Sequence, residues 1–286
     1  MAVTRWRAQS YMMPTSSAFD ALADDIARGE RFAFGENWRR FLACLDDTRI
    51  EAATTALAEI MEGTSFKAMS FLDAGSGSGL SSLAARRLGA LVHSFDYDSQ
   101  SVACTEELRR RYFPDDLEWR IEQGSVLDSA YLEALGTFDI VYSWGVLHHT
   151  GDMWTAIDLV SRRVKPHGVM CIAIYNDQRW ISRYWLAVKR IYNFGFLGRL
   201  AMVAVHAPYL LGLRFLARAL TGRLRVERGM SLWHDMLDWL GGLPFETAVP
   251  AHLDFFLGAR GFKLIKSRIV GRRHGCNEFV FRQTIQ

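Results

Sequence analysis

The chain carries 286 residues, half of them apolar, and a net charge of +3, so it has ample material for a packed core without disulfide staples. Cys44, Cys104, Cys171 and Cys276 stand far apart with no C-x-x-C pair, which excludes a disulfide framework and fits buried thiols in a reducing cytoplasm. The first seven residues lead into no apolar run of a secretory signal, and the adjacent His148 and His149 lack metal-ligand spacing, so the expected location is cytoplasmic and no metal is expected.

Residues 1–65 show helical periodicity at Phe19, Leu22 and Ile26, then at Trp38, Phe41, Leu42 and Leu45. The aromatic patch Phe32, Phe34 and Trp38 lies between these runs. This predicts an N-terminal helical cap that packs on the edge of a sheet or covers a site, with Tyr11 as a polar group able to reach it.

From residue 66 to 176 short apolar strands alternate with helices: strand to Asp73, helix 79–88, strand 90–96, helix 99–112, strand 118–123, helix 128–135, strand 138–144, helix 152–164 and strand 168–174. Such alternation predicts a parallel sheet wrapped by helices on both faces. In Phe71 to Leu80 an apolar strand runs directly into the turn Asp73-x-Gly75-Ser76-Gly77-x-Gly79, which opens a helix. Glycines there bring backbone close to a nucleotide-like ligand, and the helix start offers free N–H groups. The dinucleotide fingerprint needs a glycine where this chain has Leu80, which argues against a nicotinamide or flavin site.

The next strand ends in Asp96, placed to accept the hydroxyls of a ribose, with Tyr97 beside it and Asp98 as the cap of the following helix. Gly124, Ser125 and Val126 follow the third strand. The fourth strand, Phe138 to Trp144, leaves the sheet through a loop carrying His148 and His149.

Residues 177–249 interrupt the alternation. Between Asp177 and Glu227 there is no acid, while nine Lys and Arg supply positive charge, so the rest of the chain is net negative by six. Trp180 to Tyr192 is amphipathic and Leu197 to Leu220 strongly apolar with basic edges. The longest stretch without a charged residue, Leu200 to Leu213, is 14 residues and contains Pro208; a bilayer span needs about 20. Three readings of 178–226 stay open: peripheral contact with the inner face of a membrane, a lid over a greasy substrate, or a homodimer face. Met230 to Trp239 reads as a packed helix or as a substrate wall. Residues 250–286 return to the core with a helix at 250–260, a strand at 262–270 and a last strand at 277–282, the two strands pairing antiparallel across a tight loop.

Taken in order, the glycine turn led by Asp73, the acid at Asp96, the turn at Ser125 and the strand ending at Trp144 resemble the motifs of the class I S-adenosylmethionine-dependent methyltransferases. The resemblance implies an α/β, Rossmann-like, doubly wound sheet of seven mostly parallel strands whose last strand is antiparallel, with N-terminal helices and a helical insertion after the fifth strand. It further implies S-adenosylmethionine as cofactor, held by Asp73, Gly75, Ser76, Gly77, Gly79, Asp96, Tyr97, Ser125, Val126 and Trp144. Ser125 replaces the acid common in the family, which leaves adenine to the backbone at Val126.

The expected activity is methyl transfer to a small or lipid-like acceptor, at oxygen before carbon or nitrogen. The reaction rests on alignment, with His148 or His149 as base or else as a local cap. Tyr11, Tyr175, His234 and Glu246 are candidates for contact with the acceptor. No Asn-Pro-Pro-Tyr-like turn follows the fourth strand, and the basic residues are interleaved with aliphatics, so nucleic acid is not an expected partner. A cofactor-binding scaffold without chemistry is the contrasting reading.

Overall fold

The computed structural model describes residues 17–213, 232–271 and 274–284. Three helices lead, α1 (Ser17–Ala27), α2 (Phe34–Leu42) and α3 (Asp47–Ile60). The alternation follows as β1 (Ser70–Ala74), α4 (Leu80–Arg87), β2 (Leu91–Asp96), α5 (Ser99–Tyr112), β3 (Trp119–Gln123), α6 (Ser129–Leu135), β4 (Phe138–Trp144), a 3-10 turn at Leu147–His149, α7 (Met153–Ser161) and β5 (Val164–Tyr175). The insertion supplies α8 (Trp180–Asn193), α9 (Phe196–Ala207), a π-helical turn at Pro208–Leu213 and α10 (Leu232–Gly241). The chain closes with α11 (Pro250–Gly258), β6 (Phe262–Arg268) and β7 (Cys276–Gln283).

The strands form one seven-stranded sheet in the order β3-β2-β1-β4-β5-β7-β6, with β7 antiparallel to both its neighbours. The doubly wound fold with a reversed last strand is therefore present. Alternation along β1 explains the two layers. Phe71 faces a core built with Ile50 and Leu57 of α3, Leu83 of α4 and Leu108 of α5. Leu72 faces the other core, with Leu132 of α6, Ile157 and Val160 of α7, and Leu253 and Leu257 of α11. A third, smaller core joins α8 (Trp185, Val188, Tyr192) to α10 (Met236, Leu240) and to Phe32 ahead of α2. The insertion is thus stitched to the N-terminal helices, and both overhang the carboxyl ends of the strands.

Two boundaries differ from the sequence expectation for physical reasons. β5 begins at Val164, because Val164 already pairs with Phe138 and the turn around Pro166 is absorbed as a register shift before Val169 meets Ile140. The apolar run from Leu197 is divided at Ala207, where Pro208 removes an amide donor and the backbone widens into the π turn. Its remainder, and Tyr11, lie outside the described residues.

Candidate active site

The order of strands reverses between β1 and β4, and a crevice opens there at their carboxyl ends. Gly75 has φ +91°, and a Cβ on it would lie 2.4 Å from Val146 Cγ1 in the loop after β4, so only glycine lets the two loops approach. Gly75 and Ser76 donate their N–H groups to the Phe95 carbonyl at 2.9 and 3.0 Å, and Gly77 N–H donates to Asp96 Oδ2 at 2.8 Å. These three amides are turned toward β2 instead of being presented to a ligand, which corrects the expectation of an open anion cradle. Gly79 does not line the crevice. A Cβ there would lie 2.8 Å from Thr105 Cα, so its work is to let α4 pass α5.

Asp98 takes the capping role expected of it. Asp98 Oδ1 accepts from Gln100 N–H at 2.9 Å and caps α5, while its Oδ2 accepts from Gly35 N–H at 2.9 Å and ties down α2. Asp96 Oδ1 accepts from Asp98 N–H at 2.9 Å, and burial raises its pKa to about 6 against the pull of these amides. Asp73 is buried and accepts from Ser82 Oγ, which in turn meets Ser94 Oγ at 2.7 Å. Burial raises the Asp73 pKa to about 7, helped by the negative charge of Asp96 nearby. Two carboxylates with elevated pKa values at one crevice mark a candidate functional site.

A cavity of about 1150 Å³ extends from this crevice. Asp73, Gly75, Ser76, Gly77, Asp96, Tyr97, Ser125, Val126 and Trp144 all line it, as do His149 and Tyr175. Ligand pockets commonly run from about 300 to 1,000 Å³, so there is room for a nucleoside and a second molecule.

Residues 72–172 match the family model of a methyltransferase domain. The match covers the core from β1 to β5 alone, and in that part the chain is similar to the S-adenosylmethionine-dependent methyltransferases. No curated protein matches the sequence. Among solved structures, the chain is similar to the magnesium protoporphyrin IX methyltransferase ChlM of Synechocystis PCC 6803 with bound SAM, at TM-score 0.55 and 12% identity over 93% of this chain and 97% of that one. It is also similar to an O-methyltransferase family protein of Burkholderia thailandensis, at TM-score 0.53 and 15% identity over 94% and 68% of the two chains. A third is the 1,6-didemethyltoxoflavin-N1-methyltransferase of the same organism, at TM-score 0.50 and 15% identity over 97% and 94%. At such identities the likeness is one of fold.

The methyltransferase domain implies S-adenosylmethionine as cofactor, and the crevice suits that cofactor. Asp73 and Asp96 line it, and its glycine turn withholds the amides that a pyrophosphate would require.

The two histidines separate sharply. His148 is fully buried off the cavity, its ring 4.0 Å from that of Tyr175, and burial drives its pKa well down, so it has no path to a substrate and the expectation that it acts as base is corrected. His149 lines the cavity. Its Nδ1–H donates to the Pro244 carbonyl at 2.5 Å, which leaves the lone pair on Nε2 in the neutral ring. Burial, with Lys189 and Arg31 nearby, lowers its pKa to about 3.

Glu246 does not line the cavity either. Its carboxylate accepts from Gly151 N–H at 3.0 Å and Met153 N–H at 3.2 Å, and so anchors the loop that carries His149. His234 likewise stays off the cavity, its carbonyl accepting from Asn37 Nδ2 at 3.2 Å, while its helix neighbours Asp235, Asp238 and Trp239 form part of the wall.

Several contacts at the wall or just behind it carried no signal in the sequence. Arg31 donates to the His149 carbonyl at 3.1 Å and lies 5.8 Å from the Tyr97 ring centroid. Trp38 covers the glycine turn, its Nε1 3.0 Å from where a Cβ of Gly77 would be. Lys189, fully buried, donates to the Trp239 carbonyl and sits 4.9 Å from the Phe245 ring centroid and 5.4 Å from that of Tyr175. Burial lowers its pKa to about 7.

Proposed function

We propose that this enzyme O-methylates a small, largely apolar or lipid-like acceptor that enters between the strand ends and the overhanging insertion. The observation that carries the reading is the single cavity bordered at one part by Asp96 and the glycine turn and at another by His149, with Phe34, Tyr175 and Trp239 as aromatic wall. The bound cofactor supplies an electrophilic methyl on a positively charged sulfur. Asp96 would accept hydrogen bonds from the ribose, Val126 and Tyr97 would border the adenine, and Gly75 to Gly77 with Trp144 would border the amino-acid tail.

His149 holds its Nε2 lone pair ready as an acceptor because Pro244 fixes the tautomer through Nδ1. Its low pKa fits oxygen as nucleophile. An acceptor hydroxyl becomes a strong acid as its oxygen gains a third bond, so even a weak base takes the proton at that moment. The aromatic wall excludes water, and alignment supplies most of the acceleration, on the order of 7–11 kcal/mol in favourable cases.

The test is transfer of labelled methyl into a cell extract, followed by chemical identification of the labelled product. A labelled ether or ester of an apolar compound is expected. Label confined to amines, carbon or macromolecules refutes the oxygen assignment.

A further inference from the structure

We propose that the α8–α9 hairpin docks on an anionic lipid bilayer. This goes beyond methyl transfer and stands on a different surface of the molecule. The inner side of α8 buries Trp185, Val188, Lys189 and Tyr192 against α10 and Phe32. The outer side presents Trp180, Arg183, Tyr184, Ala187, Arg190, Ile191 and Phe194 at i, i+3, i+4 spacing, all exposed. On α9 the exposed positions Leu197, Leu200, Ala201, Ala204 and Val205 form a wholly apolar stripe. Tyr184 Oη and His206 Nε2 meet at 2.7 Å, so the two helices lie side by side.

Exposure is most extreme where the helices join. Phe194 is 91% exposed, and Phe196 and Leu197 are each 77% exposed. Large apolar side chains standing this far out are unusual on a monomer and mark an interaction surface.

Charge decides which partner fits. Among the described residues of the hairpin the exposed ions are Arg179, Arg183, Arg190 and Arg199, and from Gln178 to Val226 the sequence contains no acid. A second copy meeting this face about a two-fold axis would set arginine against arginine. The segment 214–231 brings five more arginines and one glutamate, so it does not complement the face either. A bilayer with acidic headgroups answers both features: guanidinium groups reach phosphates while Phe, Trp and Leu enter the acyl boundary. No helix among the described residues is long and apolar enough to cross a membrane, which fits contact at the interface and not a span. The bilayer-facing side lies opposite the side that packs toward the cavity wall.

The experiment is flotation of the full chain with phosphatidylcholine vesicles and with vesicles about one third phosphatidylserine, at low and high salt. The expected result is flotation with the anionic vesicles at low salt, weakened by high salt. In Arg183→Glu/Arg190→Glu the partition coefficient should fall by about fivefold or more per arginine lost. In Phe194→Ser/Phe196→Ser/Leu197→Ser it should fall at least tenfold at either salt, with binding of S-adenosylmethionine unchanged as the check on folding. Absence of flotation with anionic vesicles at low salt overturns the proposal. So does flotation that neither variant weakens, or a concentration-dependent dimer, abolished by the Phe and Leu variant, in a protein that stays with the non-floating fraction.

Discussion

Replacing Asp96 by asparagine isolates the carboxylate that the whole cofactor assignment depends on. In the ligand-free protein its two oxygens accept the amides of Gly77 and Asp98 at 2.8 and 2.9 Å, and its pKa stands at about 6 because burial outweighs those donors. Each hydrogen bond to a charged group contributes about 1.5–3 kcal/mol. Two ribose hydroxyls therefore depend on this side chain for about 3–6 kcal/mol. Asparagine keeps one acceptor oxygen, so the expected loss lies at the lower end, about 100-fold in Kd for S-adenosylmethionine at pH 7.5.

The pH profile gives a second, independent signature. The ionised carboxylate is the competent acceptor, so wild-type affinity should fall by about tenfold per pH unit once the pH drops below about 6. Asp96→Asn should show a flatter profile. Stability runs the other way. The folded-state pKa is raised above the ordinary carboxylate value, so Asp96 makes the ligand-free wild type lose stability as pH rises from about 4 through 6, and the asparagine variant should lose less over that range, keeping only the share due to Asp73. Calorimetric titration at pH 5.0 and 7.5 reads the affinities, and thermal unfolding over the same range reads the stability. An affinity within twofold of wild type, or a variant with an unaltered pH profile, refutes the ribose assignment.

Three further outcomes follow from the same geometry. Gly75→Ala forces a Cβ to 2.4 Å from Val146 at φ +91° and should destabilise the protein by about 1–3 kcal/mol while weakening cofactor binding, read by thermal unfolding and titration. His149→Ala should lower kcat by about 10²–10⁴ with the cofactor Kd unchanged, and because its pKa is about 3 the wild-type rate should show no histidine titration between pH 6 and 8. Lys189 has a folded-state pKa of about 7, far below its ordinary value, so the wild type should gain stability as pH rises from 7 toward 10, a gain that Lys189→Met should abolish in unfolding measurements.

The alternation of β1 through β5 was legible because most of these strands carry a short apolar run closed by a polar or glycine turn, as a parallel sheet buried on both faces requires. The capping role of Asp98 was legible too, since a helix starting at Ser99 needs a cap one residue before it. What escaped was everything set by approach across long separations. Gly35 donates to Asp98 from 63 residues away and Arg31 to His149 from 118, and no local periodicity announces such pairs.

Lys189 was hidden for the opposite reason. Within a run of nine cations it reads as one more solvated charge, yet its place on α8 turns it inward to an aromatic cage. The two adjacent histidines were indistinguishable in sequence. The 3-10 turn rotates His148 into the core and His149 to the cavity, an outcome fixed by Glu246 and Pro244 about a hundred residues later.

The most direct test of the account is a crystal structure of this chain with S-adenosylhomocysteine. The account predicts both ribose hydroxyls within hydrogen-bond distance, about 2.6–3.0 Å, of the Asp96 carboxylate, the amino-acid tail along Gly75 to Gly77, and the sulfur directed toward the part of the cavity that His149 borders. A ribose held elsewhere, or a sulfur turned away from His149, would contradict it.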